Sequence, residues 1–144
     1  MRVFSDWSTA TFILDAKYYK FGIVPHDKDY LKEAMKFLPG SDSVTKQMAY
    51  AEYVEQHPSK FGKGPIYNAF ILPYCAEGFV DSKVNNAPFK MNRAGYIYGD
   101  WKALNRPYHK IVCILLDMKS VMRNYASSKN AQEALAKMIR EGAK

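Results

Sequence analysis

The chain has 144 residues, 48% hydrophobic and 24% charged, with 21 basic against 14 acidic side chains and a net charge of +7. That length suits one domain, which buries roughly 68–70% of the surface its unfolded chain exposes, and the composition excludes global disorder. No apolar run nears the ~20 residues of a membrane-spanning helix, and the start, Met1-Arg2-Val3-Phe4-Ser5-Asp6, lacks the apolar core of a signal peptide. The expectation is an intracellular, cytoplasmic protein with no membrane insertion.

Residues 9–14 and 18–24 are β-rich and joined by Asp15-Ala16-Lys17, a spacing that predicts an N-terminal hairpin. Pro25 ends the second run, because it cannot donate to a strand ladder. His26-Asp27-Lys28-Asp29 follows, and it reads as a helix start whose carboxylates complement the dipole. Tyr30, Leu31, Ala34, Met35 and Leu38 then recur at helical spacing until Pro39-Gly40. A second helix starts near Asp42-Ser43, buries Val44, Met48, Ala51 and Val54, and ends before Pro58. Gly62-Lys63-Gly64 is a loop. Apolar, β-leaning runs occupy residues 66–74, 78–80, 96–98 and 109–116, with a turn near Asn85-Asn86 and Pro88.

The end is helical. Met118, Val121, Met122 and Tyr125 share one helical face, and Asn130 with Glu133 forms a capping box for a last helix. Its apolar face is Ala134, Leu135, Met138 and Ile139, with Gly142 as its stop. Strands grouped apart from helices predict a single domain over residues 1–144 of the α+β class. Its parts would be an N-terminal hairpin, two helices, a largely antiparallel sheet and C-terminal helices.

Most catalytic signatures are missing. Gly62-Lys63-Gly64 lacks the spacing of a phosphate loop, and no Gly-x-Ser-x-Gly elbow occurs. Cys75, His109 and Cys113 could meet on adjacent strands, but without the paired spacing of a zinc site they read as two reduced thiols and a histidine. No metal ligand or cofactor is therefore assigned.

Charge is where the sequence speaks. Residues 1–82 carry 9 basic and 10 acidic side chains, whereas residues 83–144 carry 12 and 4. The densest part is residues 83–110, where Lys83, Lys90, Arg93, Lys102, Arg106 and Lys110 stand against Asp100 alone. Phe89, Tyr96, Tyr98, Trp101 and Tyr108 lie between them. Cations meet phosphates and flat rings stack on bases, so this pattern predicts a surface for nucleic acid or another polyanion. The plainer reading is a solvated face whose rings point inward. The candidate contacts are Lys90, Arg93, Tyr96, Tyr98, Trp101, Lys102, Arg106 and Lys110. The same surface would also suit an acidic protein partner in a larger assembly.

The stretch Thr11-Phe12-Ile13-Leu14-Asp15-Ala16-Lys17-Tyr18-Tyr19-Lys20-Phe21-Gly22-Ile23 resembles the opening hairpin of GIY-YIG nucleases. Tyr19 and Gly22 match the family's second motif. The resemblance implies a magnesium-dependent endonuclease, with Tyr19 at the scissile phosphate and Glu52 as the metal-binding glutamate. Phe12 stands where the first motif has tyrosine, and Tyr30 where the helix has arginine, so the implied nuclease lacks two functional groups. An enzymatic role is less expected than binding.

Overall fold

The computed structural model describes residues 2–5, 10–17, 38–74, 91–100, 103–117 and 129–144. Strands β1 (Arg2–Ser5), β2 (Thr11–Ala16), β3 (Ile66–Tyr74), β4 (Met91–Ile97) and β5 (Ile111–Asp117) form one sheet in the order β1-β2-β3-β5-β4. The helices among the described residues are α1 (Ser41–Gln56), the single turn α2 (Pro58–Phe61) and α3 (Lys129–Gly142), and a 3-10 turn (Pro107–His109) precedes β5. The chain is α+β, as its composition of runs predicts.

The sheet is mixed rather than largely antiparallel. β1 pairs antiparallel with β2, and β4 with β5, but β2, β3 and β5 run parallel to one another. The connection between β2 and β3 carries α1, and a crossover of that kind returns the chain to the same end of the sheet. An N-terminal antiparallel pair is present, but its strands are β1 and β2. Both edges of residues 11–14 are thus taken, by β1 on one side and β3 on the other. The expected hairpin partner at residues 18–24 lies outside the described residues, as do the first expected helix, the run at 78–80 and the helical face at 118–125.

Helices cover both faces. On one, Val44, Met48, Ala51 and Val54 of α1 pack on Ile13, Phe70, Leu72, Ile111, Cys113 and Leu115. On the other, Ala136, Met138 and Ile139 of α3 pack on Phe12, Ala69, Met91, Val112 and Ile114, with Leu135 at the margin. β5 shows why. Ile111, Val112, Cys113, Ile114 and Leu115 are all buried, and an uninterrupted apolar run of that kind marks a strand covered on both faces.

Two of the predicted caps fall differently. α3 begins at Lys129, so Asn130 lies inside its first turn. Gly142 is the last helical residue and serves close approach instead of a left-handed stop. A Cβ there would come within 2.8 Å of Val112 Cγ1 and of Arg93 Cδ. The helix end therefore sits directly on the sheet, beside β4.

Candidate functional site

β4 is an edge strand, paired with β5 alone among the described residues. Its ladder sets Arg93 opposite Ile114, then shifts, setting Gly95 opposite Cys113 and Tyr96 opposite Val112. Ala94 is the extra residue of a β-bulge, and Gly95 supplies the backbone it needs at φ +137°. Side chains of a regular strand alternate between faces, which would send Arg93 and Tyr96 to opposite sides. The bulge cancels that alternation. Arg93 and Tyr96 both stand on the α3 face, because Ile114 and Val112 do.

The face collects further groups. Tyr96 is 45% exposed and Tyr98 51% exposed, with ring centroids 6.0 Å apart and planes inclined by 42°. The Lys110 ammonium lies 5.0 Å from the Tyr96 ring centroid, within reach of a cation–π attraction. It also donates to the backbone carbonyl of Lys144, at 3.0 Å. That bond ties the cation to the chain just beyond α3 and offsets the negative end of the helix dipole there. The Arg93 stem passes Gly142, and the residue is exposed. Asp100 is an exposed acid two residues beyond Tyr98. Exposed tyrosines also occur on α1, at Tyr50 and Tyr53, but they share that helix with Asp42, Glu52 and Glu55.

Arg106 lies elsewhere. Its Nε is 3.2 Å from Glu55 Oε1 at the end of α1, and the Tyr108 hydroxyl donates to the other oxygen of that carboxylate. Burial first, and then the bond to Glu55, push the Tyr108 hydroxyl up to about 12. Tyr108, counted among the interleaved rings of the basic segment, is a buried core residue. Asn68 donates to the Tyr108 carbonyl at 3.0 Å, and the Arg106 backbone N–H donates to His109 Nδ1 at 3.3 Å. These bonds fix the turn that delivers Lys110 to its place. A cleft of about 380 Å³ opens here, lined by Glu55, Lys63, Arg106 and Tyr108 among others. Glu55 and Arg106 are paired with each other there, and Lys63 is an exposed second cation.

Lys90, Trp101, Lys102 and Tyr19 lie outside the described residues. Glu52 is half-buried on α1, whereas Phe12 is fully buried beneath α3, stacked on Tyr67 at 5.3 Å. Those two positions of the nuclease pattern are therefore on opposite faces of the sheet. Among the described residues, no three of His, Cys, Asp and Glu come together to hold a metal. The Cys113 thiol is buried in the α1-side core, which pushes it up to about 12 and leaves it unreactive near neutrality. His57 sits against Tyr53, its Nδ1 donating to the Tyr53 carbonyl at 2.7 Å.

Sequence reasoning missed Glu55, which neutralises Arg106, and the carbonyl of Lys144, which holds Lys110. It also missed the bulge, for which a glycine inside a strand pattern, Gly95, was the available signal. Comparison with models of known protein families, with curated proteins and with solved structures finds no match.

Proposed function

We propose that the protein binds nucleic acid, without a catalytic step, through the α3-side face at the β4 edge. Arg93 and Lys110 supply the cations, and Tyr96 and Tyr98 the rings. Lys90, Trp101 and Lys102 flank this face in sequence and belong to the same proposal. The observation that carries it is the pair of exposed tyrosines, with the Lys110 ammonium against one ring and Arg93 on the same face. Exposed rings beside cations are what a phosphate-linked chain of bases requires. The charge balance of residues 83–144, 12 basic against 4 acidic, supports a polyanionic partner of this kind.

Fluorescence anisotropy with labelled single-stranded and duplex oligonucleotides across a salt series tests the proposal. Affinity should fall steeply with salt. Arg93→Ala combined with Lys110→Ala should flatten the slope by about 1.4 for a single strand, ~0.7 for each phosphate that is no longer neutralised. Absence of binding to either form at low salt overturns the reading. Equal binding to polyglutamate would transfer the surface to an acidic protein partner.

A further inference from the structure

Resting on the nucleic-acid reading, we infer that the ligand is an unpaired strand held with two neighbouring bases splayed apart, one on Tyr96 and one on Tyr98. Successive bases in a duplex strand are parallel and ~3.4 Å apart. The two rings are 6.0 Å apart and inclined by 42°. A base lying flat on each ring inherits that separation and that tilt, so the two bases cannot stay stacked on each other. Nor can one base be sandwiched between the rings, which would need them parallel at about twice the 3.4 Å stacking distance.

A duplex could reach these rings only by unstacking and unpairing, whereas a single strand already offers free base faces. The phosphates are accounted for on the same face. Lys110 stands against Tyr96 and Arg93 lies three residues before it, brought round by the bulge at Ala94. The bulge thus acts as a positioning device, setting a cation and a ring side by side on one face of a strand whose alternation would otherwise part them.

The test uses the whole chain and four probes: a pyrimidine 12-mer as DNA and as RNA, the same DNA as a blunt duplex, and the single strand with adjacent abasic sites. Heparin, a polyanion without bases, is the control. The single strand should bind tighter than the duplex. Tyr96→Ala and Tyr98→Ala should each weaken single-strand binding roughly 5- to 150-fold. Tyr96→Phe and Tyr98→Phe should retain it, because the ring and not the hydroxyl stacks. Neither alanine variant should change heparin binding or the salt slope, and the strand with adjacent abasic sites, which lacks both bases, should bind the parent as weakly as the Tyr96→Ala, Tyr98→Ala double variant binds the intact one. Both the DNA and the RNA single strand should bind tighter than the duplex, because the rings stack on bases and not on the sugar. Equal affinity for single strand, duplex and abasic strand overturns it while leaving a charge-driven nucleic-acid surface intact. Failure of every oligonucleotide to bind removes the nucleic-acid reading itself.

Discussion

Arg93 and Arg106 belong to one basic segment, thirteen residues apart, and the fold gives them opposite duties. Arg93 stands exposed on the α3 face beside Tyr96, whereas Arg106 pairs with Glu55 at the end of α1. The tyrosines divide in the same way. Tyr96 and Tyr98 are open to solvent, while Tyr108 is buried with its hydroxyl on the same Glu55 carboxylate. Charge density along a chain is therefore a poor measure of charge density on a surface. A cation counts toward a polyanion site only if no acid from a distant element reaches it first.

The largest expected effect concerns the helix that sets the two regions apart. Ile139 of α3 is fully buried on Phe12, Val112 and their neighbours. Ile139→Ala should cost about 2–5 kcal/mol in denaturant unfolding. A change near zero would detach α3 from the sheet and remove the floor of the exposed face.

Gly142→Ala comes next. The new methyl would meet Val112, a core residue that cannot yield, and the Arg93 stem, which can. Overpacking of this sort costs about 1–3 kcal/mol. The thermal midpoint should fall, and binding should fall with it as Arg93 is displaced. Unchanged stability would mean that the helix end shifts freely along β4.

Tyr108→Phe probes the buried region alone, and should cost about 1 kcal/mol through loss of the hydrogen bond to Glu55. Its alkaline behaviour carries a sign. The folded state raises the hydroxyl from 10.0 to about 12, so its share of stability is complete below pH 10 and is lost as pH climbs toward 12. Cys113, raised from 9.0 to about 12, adds a loss that begins one unit lower. Urea unfolding from pH 8 to 11.5 should show both declines in the parent, and only that of Cys113 in Tyr108→Phe. Oligonucleotide affinity should be the same in both proteins.

The smallest effects fall on the two arginines and bear most directly on the contrast between them. Arg106→Ala breaks a half-exposed ion pair worth at most about 1 kcal/mol and should leave the salt slope of binding alone. Arg93→Ala should leave stability within about 0.5 kcal/mol and lower that slope by about 0.7. Identical salt slopes for the two variants would erase the distinction.

Much of the architecture is legible in local pattern. Val44, Met48, Ala51 and Val54 repeat at helical spacing, and all four are buried along α1 as expected. Ile139 and Met138 are likewise on the inner face of α3. The parallel order was less legible, although residues 111–115 carry its mark: a strand apolar on both faces needs a helix on each side. Grouping strands by sequence order hid this, because the pairing of β3 with β5 passes over β4.

Composition and periodicity by themselves determined α1, α3, the apolar strands β2, β3 and β5 and the accumulation of cations and rings between residues 83 and 110, because each depends on residues within a few positions of one another. Which partners Arg106 and Lys110 take was decided only by tertiary contacts. Glu55 lies 51 positions before Arg106, and Lys144 lies 34 positions after Lys110, and no local pattern links such pairs. The bulge decided the rest. One inserted residue reverses the facing of every side chain beyond it, so the placing of Arg93 and Tyr96 on one face follows from the register of β4 on β5.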